Sequence, residues 1–229
     1  MPINSTKEAG QLHILILHQY FAINDSSPGR RFFEIGRRLV KQGHQVTVIT
    51  ANFELGLPLG QRKIGLLQQD GMAIVTFNLG CSREMKPGQR RRISSDFARQ
   101  AYRQGRRLPH PDLVLASSPP PALAWSAWKL SSFYRVPLVI EIREIDSSFI
   151  DSRNSLLKNI VFPVRRNTLK AYCRAESIIV GGPEMAETAA QITGPAKEIT
   201  ILPDELDFED LYQGFSKILT AIQPRTVKD

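Results

Sequence analysis

Four polar side chains stand directly behind apolar runs of the sequence, where a parallel sheet would present them at one edge. They are His18, Ser118, Arg143 and Glu144. Arg143 suits an anion such as phosphate, and Glu144, or Asp146 just after it, can orient a hydroxyl group or accept its proton. Packing explains the same residues equally well: Arg143 can pair with Glu144, His18 can pack in its loop, and a serine before proline can start a helix. The residue types therefore predict a substrate-binding edge and leave its chemistry open.

A glycine precedes the first predicted helix, in the loop Pro28-Gly29-Arg30-Arg31. Because Gly29 has no side chain, the N–H groups at the helix start can approach an anion closely, and the helix dipole favours negative charge there. Arg30 and Arg31 add positive charge, so the loop predicts a phosphate or pyrophosphate site. A glycine in a polar loop is also a common turn residue, and the sequence leaves that alternative open. The three spaced glycines of dinucleotide-binding loops do not occur here.

The segments that must position these residues alternate between strand and helix patterns. An apolar run at 12–17 is followed by apolar residues at helical spacing up to Gly43, and then by a β-branched run at 45–50. Further strands are predicted at 72–79, 112–116, 137–142, 177–180 and 199–202, and further helices at 93–107, 122–134, 155–174 and 183–192. This alternation predicts an α/β fold, a doubly wound parallel sheet with helices on both faces, and ligands bind such sheets at the carboxyl ends of the strands.

The composition is that of an ordinary globular protein with a buried core. The 229 residues are 42% hydrophobic and 23% charged, which allows one large domain and a tail. Residues 1–11 are polar and predict a disordered leader, and no stretch is long and apolar enough to span a membrane. Cys81 and Cys173 lack the spacing of a metal site or a disulfide framework. We therefore expect a reducing cytoplasmic compartment, no metal ion and no cofactor.

Positive charge is unevenly distributed along the chain. The net charge is +8, and basic residues cluster at 83–107 and 153–174. Such clusters favour nucleic acid, acidic lipid headgroups or phosphorylated substrates, and a well-solvated surface is the alternative. We do not expect nucleic acid, because aromatic residues are not interleaved with the arginines and no recognition motif occurs. For the first cluster we expect an anionic membrane surface as the partner.

Seven stretches of the sequence resemble glycosyltransferase family 4. They are ILILHQYF at 14–21, RFFEIGRRL at 31–39, GHQVTVIT at 43–50, PDLVLASSP at 111–119, RVPLVIEIRE at 135–144, AESIIV at 175–180 and ILPD at 201–204. The ordered series extends over residues 12–207, and it is most similar to the branch that builds bacterial exopolysaccharide and O-antigen units on lipid carriers. The resemblance implies a Rossmann-like domain that forms one half of a GT-B fold.

The resemblance also implies what each half does. This half binds the acceptor, a lipid-linked sugar or a polysaccharide, and a second domain binds most of the nucleotide-sugar donor. Gly29 and Arg31 match the loop that faces the donor phosphates, and Arg143 and Glu144 match the family's charged pair at the catalytic edge. Such an enzyme works in the cytoplasm or peripherally on the inner face of the cell membrane.

Several positions depart from the family pattern. Pro28 replaces one loop glycine, and Asp146-Ser147 stands where Trp-Pro is usual. Asp204-Glu205 stands where Asn-Gly opens the second domain, and the donor half with its paired glutamates is not in the sequence. We therefore expect transfer to require a separately encoded donor-domain subunit. A non-catalytic binding or regulatory module derived from such an enzyme is the alternative.

The last segment, 204–229, predicts a helical tail. Its apolar residues recur at helical spacing: Phe208, Leu211, Tyr212, Phe215, Leu219 and Ile222. In the family a final helix crosses back onto the first domain, and this tail is suited to cover that surface or, equally, to form a dimer. The predicted organisation is a leader at 1–11, a domain at 12–203 and a tail at 204–229.

Overall fold

Alternating strands and helices build one sheet in this computed structural model, which describes residues 10–23, 29–52, 64–80, 85–145, 163–203 and 207–222. The strands are β1 (His13–Leu17), β2 (Gln45–Ala51), β3 (Ile64–Gln69), β4 (Met72–Phe77), β5 (Leu113–Ser118), β6 (Leu138–Ile142), β7 (Ser177–Val180) and β8 (Glu198–Ile201). The helices are α1 (Arg30–Lys41), α2 (Pro87–Gly105), α3 (Pro121–Tyr134), α4 (Pro163–Arg174), α5 (Pro183–Thr193) and α6 (Phe208–Ala221).

The strand order across the sheet is β3-β4-β2-β1-β5-β6-β7-β8. Neighbouring strands are parallel throughout, except that β3 and β4 form an antiparallel hairpin. β1 pairs with β2 on one side and with β5 on the other, so the strand order reverses at β1. In sheets of this kind, ligands bind outside the carboxyl ends of the strands at such a switch point. The prediction of a doubly wound α/β fold is confirmed.

Helices cover both faces of the sheet because the central strands are apolar on both sides. On one face, Phe32 of α1 and Phe215 of α6 belong to the same buried cluster. On the other face, a second cluster contains Phe97 of α2, Leu123 of α3 and Ala189 of α5. Side chains alternate between the two clusters along each central strand, as the pleat of a strand requires. The sheet is therefore the middle layer of three.

The C-terminal tail covers the α1 face of the domain. Leu211, Phe215 and Ile218 of α6 are buried in the same cluster as α1. The helix begins after Asp207, whose carboxylate accepts hydrogen bonds from the N–H groups of Glu209 at 2.8 Å and Asp210 at 2.9 Å. Packing on its own domain is one of the two roles that the sequence left open for this tail, and these contacts show it.

The hairpin of β3 and β4 corrects the sequence prediction, which placed no strand between residues 50 and 72. β3 lies at the edge of the sheet with one face open, and Leu66 is 72% exposed, so its pattern lacks a buried apolar run. The dipeptide Asp70-Gly71 is the signal that identifies the hairpin. Both residues have positive φ, +48° and +80°, as a two-residue type I′ turn requires, and the ladder closes between Gln69 and Met72.

Other predicted bounds differ by a few residues. α2 begins at Pro87 rather than at residue 93, and proline is well suited to the first turn of a helix. The predictions for residues 1–9, 24–28, 83–84, 153–162, 204–206 and 223–229, and for Cys81 and Asp146-Ser147, lie outside the described residues. Among the helices that the structure describes, none combines the length and the apolar character needed to cross a bilayer.

Candidate functional site

A row of buried polar side chains crosses the carboxyl edge of the sheet on the α1 face. Strand pairing places Thr76 beside Thr50 and Ser117 beside Glu141, and His18 follows β1 between Thr50 and Ser117. All five side chains are at most 5% exposed. Apolar residues fill the same face further from the edge. The row therefore marks the end of the apolar core and the beginning of the candidate site.

His18 lies at the switch point as a buried, neutral imidazole. Its Nδ1 accepts a hydrogen bond from the backbone N–H of Tyr20 at 3.2 Å, and its ring contacts Phe32 with centroids 4.8 Å apart. Burial and, to a smaller extent, the positive charge of Arg143 together lower the pKa of His18 to about 3. Because a backbone N–H can only donate, Nδ1 carries no proton and the single ring proton lies on Nε2. His18 can therefore donate a hydrogen bond from Nε2 but does not serve as a general base near pH 7.

Arg143 and Glu144 follow β6 at the same edge. The backbone N–H of Arg143 donates to the carbonyl oxygen of Ser118 at 2.9 Å, which continues the pairing of β5 with β6 by one residue. Arg143 is half-buried and close enough for its charge to act on His18, whereas Glu144 is exposed. The structure thus brings His18 and Arg143 together and places Glu144 at the solvent side of them.

Gly29 is buried at the start of α1, where packing already requires a glycine. A Cβ atom at this position would overlap the carbonyl oxygen of Tyr20, a backbone atom that cannot move aside alone. Arg30, the next residue, donates to the carbonyl oxygen of Ile23 and pairs with Glu34 at 2.5 Å. The absence of a side chain at Gly29 therefore lets the start of α1 pack closely against the backbone of the protein's own first loop, at Tyr20.

Arg31 is buried against the sheet and has protein partners on each side of its guanidinium. Nη2 donates to the carbonyl oxygen of Leu202 at 2.8 Å, and Nη1 donates to that of Pro203 at 3.0 Å. Nε lies 3.5 Å from a carboxylate oxygen of Glu141, whose other oxygen accepts a hydrogen bond from the hydroxyl of Ser117 at 2.8 Å. Arg31 is thus held by the end of β8 and by the buried carboxylate on β6.

Ser118 points to the opposite face of the sheet from Ser117. Its hydroxyl lies 2.8 Å from the hydroxyl of Tyr172 on α4, and its side chain is 1% exposed. Burial raises the pKa of Tyr172 to about 12, although the hydrogen bond with Ser118 acts in the other direction. The side chain of Ser118 contacts α4, and only its backbone carbonyl reaches Arg143.

Sequence reasoning named neither Glu141 nor Tyr172 as part of this region. For Glu141 the signal is a carboxylate inside the apolar strand β6, because a buried charge requires a partner. Tyr172 has no comparable signal, because a tyrosine on a basic helix can be buried or exposed and its type alone does not predict a partner. Two further buried atoms at this edge, Gln19 Oε1 and Thr76 Oγ1, have no hydrogen-bond partner within the described part of the chain. No group of three or more metal-ligating side chains comes together among the described residues.

Solved glycosyltransferase structures share this fold at low sequence identity. A sucrose-phosphate synthase from Thermosynechococcus elongatus is 11% identical, with a TM-score of 0.58, over 91% of this chain and 98% of that one. Arabidopsis thaliana UGT89C1 in complex with UDP-L-rhamnose is 12% identical, with a TM-score of 0.52, over 87% of this chain and 54% of that one. LpCGTa in complex with UDP is 13% identical, with a TM-score of 0.53, over 86% and 53%.

These structural similarities support the fold, whereas the family is identified from a match to the sequence. This chain spans about half the length of the UGT89C1 and LpCGTa chains. No curated protein matches the chain significantly. The model of one sequence family, described as Glycosyltransferase Family 4, matches residues 28–209, from the loop before α1 to the first turn of α6. Because that match extends over most of the 229 residues, the chain belongs to glycosyltransferase family 4.

Proposed function

We propose that this chain is the acceptor-side half of a GT-B glycosyltransferase, which transfers a sugar from a nucleotide-sugar donor to a lipid-linked or polysaccharide acceptor. Family membership and fold support a transferase. The observation that carries the finer proposal is the pairing of a neutral imidazole with a guanidinium at the switch point of the sheet, His18 with Arg143. Together they offer an N–H donor and a positive charge to one anionic group.

On the donor side, we assign His18 and Arg143 to the diphosphate. When the bond between the anomeric carbon and the diphosphate breaks, negative charge develops on the departing phosphate oxygen. The Nε2–H of His18 donates a hydrogen bond to that group, and Arg143 supplies positive charge. The backbone N–H groups of the first turn of α1, behind Gly29, favour the same anion through the helix dipole. Ser118 contributes by holding the backbone of Arg143.

On the acceptor side, we assign Glu144 to the attacking hydroxyl. Its exposed position at the same edge suits a group that must meet a second substrate. The acceptor oxygen forms its bond to the anomeric carbon as its proton passes to the carboxylate of Glu144. His18 does not fill this role, because its low pKa leaves it a poor proton acceptor near pH 7.

A separate donor-binding subunit is part of the proposal. Transfer requires the anomeric carbon and the acceptor oxygen to be held about 3 to 3.5 Å apart, and the closed cleft of a two-domain enzyme also excludes water. The sucrose-phosphate synthase chain carries the numbers 27–220 and 406–426, and 98% of it is covered. We take α6 as the counterpart of the second segment. Here only residues 204–206 lie between Pro203 and Asp207, so no donor domain is inserted between β8 and α6, and the proposal takes that domain from outside residues 1–229.

Peripheral attachment to an anionic membrane is a second element of the proposal, and the exposed face of α2 supports it. Buried residues of α2, such as Phe97 and Ala101, line the side that faces the sheet. On the opposite side lie three exposed arginines of the helix at positions i, i+7 and i+11, and a fourth directly after its end at i+14: Arg92, Arg99, Arg103 and Arg106. Asp96, which pairs with Arg99, is the acidic residue of this helix. A cationic stripe of this kind attracts anionic lipid headgroups.

A non-catalytic module remains the second candidate function, and one observation favours it. Arg30 and Arg31, the two cations expected beside a donor phosphate, both bind protein groups instead. A domain that had lost catalysis would keep such internal contacts and would have no need of Glu144. The two candidates differ in whether sugar transfer appears when a donor domain is added: the enzyme should gain it, and the non-catalytic module should not.

Nucleotide binding tests the donor-side assignment. UDP is the first nucleotide to titrate, because two of the similar structures contain it or its rhamnose conjugate, and other nucleoside diphosphates follow. We expect His18→Phe and Arg143→Gln each to weaken binding about tenfold or more. Arg166→Gln, an exposed arginine of α4, is the matched control and should bind as the parent does. Equal binding by all four proteins would remove His18 and Arg143 from the site.

Radiolabelled sugar transfer to a lipid-phosphate acceptor tests the enzyme itself. The isolated chain should show little or no transfer with any nucleotide sugar, and transfer should appear when a donor domain is added. Glu144→Gln should then abolish most of that transfer. Robust turnover by the isolated chain would contradict the need for a second subunit. The non-catalytic module would be favoured if no donor domain restored transfer and if His18→Phe and Arg143→Gln bound nucleotide as the parent does.

A further inference from the structure

The guanidinium of Arg31 joins two distant parts of the chain inside the domain. One part is the end of β8, where the carbonyl oxygens of Leu202 and Pro203 accept hydrogen bonds at 2.8 and 3.0 Å. The other is Glu141 on β6, whose carboxylate lies 3.5 Å from Nε and is fixed on its far side by Ser117. Arg31 therefore ties the start of α1 both to the middle of the sheet and to the point where the chain leaves it.

The two carbonyl groups stand at the exit of the sheet. Leu202 continues the pairing of β8 by donating its N–H to Val180 at 2.8 Å, whereas its own carbonyl has turned to Arg31. Pro203 is the last described residue before the link, and α6 begins after Asp207. The direction in which the chain leaves Pro203 thus decides where α6 can begin.

α6 lies close to this exit and to α1. At Gly214, a Cβ atom would overlap the side chain of Leu202, so the helix passes directly against the residue that Arg31 holds. Phe215 is fully buried with residues of α1, and Arg38 of α1 pairs with Glu209 at the start of α6. Leu202 therefore contacts both partners: its carbonyl oxygen accepts a hydrogen bond from Arg31, and its side chain packs against α6 at Gly214.

A planar guanidinium suits these partners together. It presents several N–H groups in one plane, with fixed angles between them; here two of its nitrogens donate to carbonyl oxygens, while Nε lies 3.5 Å from the carboxylate of Glu141. A lysine ammonium would keep the charge near Glu141 but lacks the fixed fork. A neutral side chain would remove the positive charge beside the buried carboxylate of Glu141. Charge and geometry can therefore be separated by substitution.

We propose that Arg31 is a positioning residue, which fixes the exit of the chain from β8 and thereby seats α6 on α1. This inference does not depend on the proposed transferase activity, since it concerns contacts within the domain. The role assigned to Arg31 is structural and does not require a bound phosphate. It also gives the buried carboxylate of Glu141 a role, since its negative charge stabilises the guanidinium that holds the two carbonyl groups.

Hydrogen exchange of the full chain, read by mass spectrometry, tests the proposal. Arg31→Lys keeps the charge and removes the fork. We expect exchange of the amides of α6 and of residues 202–203 to become at least tenfold faster, with exchange in β1 and β5 nearly unchanged. Arg38→Gln is the matched control, because it removes an exposed contact between α1 and α6 and should alter α6 by less than threefold. The double variant Arg31→Met with Glu141→Met removes both buried charges and should still show fast exchange in α6.

Selective acceleration in both Arg31 variants supports the proposal. Parent-like exchange of α6 in Arg31→Lys overturns it, because the fork would then not hold the exit. Acceleration of β1 and β5 to the same degree as α6 also overturns it, since Arg31 would then support the whole sheet. Failure of both variants to fold leads to that same conclusion.

Discussion

The guanidinium of Arg143 lies close enough to the buried imidazole of His18 to disfavour its protonation. Burial is the larger cause, and the two effects together lower the pKa of His18 to about 3. The accepted hydrogen bond from Tyr20 places the remaining ring proton on Nε2. Burial and the charge of Arg143 thus keep His18 neutral, and the hydrogen bond from Tyr20 keeps it a donor of fixed tautomer. The pair therefore suits an anionic or carbonyl oxygen and does not suit a proton-accepting role.

The first prediction concerns stability against pH. The unfolded chain binds a proton at His18 near pH 6.5, whereas the folded chain resists it down to about pH 3, so the contribution of His18 is lost as the pH falls through this window. The free energy of unfolding should decrease by up to about 1.4 kcal/mol per pH unit from this residue. Urea denaturation of the parent and of His18→Phe between pH 4 and 8 measures the difference. Parallel curves for the two proteins would contradict it.

The second prediction isolates the effect of Arg143 on His18. Removing the positive charge in Arg143→Gln should raise the pKa of His18, because one of the two causes of its depression is gone. Burial remains, so the pKa should stay below its ordinary value. The Cε1–H resonance of His18, followed by NMR during an acid titration, reports the change, with Arg166→Gln as the control. A pKa unchanged from the parent would show that burial alone sets it.

The third prediction is that Gly29 tolerates no side chain. A Cβ would overlap the carbonyl oxygen of Tyr20, and the backbone would have to move, so Gly29→Ala should destabilise the fold by about 2 to 4 kcal/mol. Gly88→Ala, in the first turn of α2 with open space around it, is the matched control and should be neutral or slightly stabilising. Thermal unfolding compares the two. A parent-like transition in Gly29→Ala would refute the packing account and return the glycine to a ligand-binding role.

The fourth prediction compares two basic stripes. Neutralising Arg92, Arg99 and Arg103 of α2 to glutamine should weaken binding to vesicles with anionic lipid about 100-fold, since each cation near such a surface contributes about 1 kcal/mol. The same change at three exposed cations of α4, Arg166, Lys170 and Arg174, removes equal charge and should have a much smaller effect. Flotation with and without anionic lipid measures both. Equal loss in the two triple variants would show that net charge, and not the α2 stripe, governs the attraction.

The sequence determined the architecture of this protein to a large extent. Apolar runs and helical spacing are local properties, so seven of the strands and the tail helix could be predicted from stretches of a few residues. The edge strand β3 was missed because an edge strand is open on one side and buries fewer residues, although Asp70-Gly71 signals its turn. His18, Arg143 and Glu144 could be placed at one edge because the carboxyl ends of parallel strands meet there.

Only the tertiary structure decided what each candidate side chain touches. Arg31 bonds to carbonyl groups 171 and 172 residues away, and Ser118 meets a tyrosine 54 residues away. No local pattern encodes such partners, because they depend on which strands become neighbours and on which face each side chain points. Gly29 resembles a ligand-binding glycine in sequence, whereas its surroundings show a backbone carbonyl where a side chain would stand. Residue type and spacing thus determine the fold and the edge, and contacts across the sheet determine which side chains remain available to a substrate.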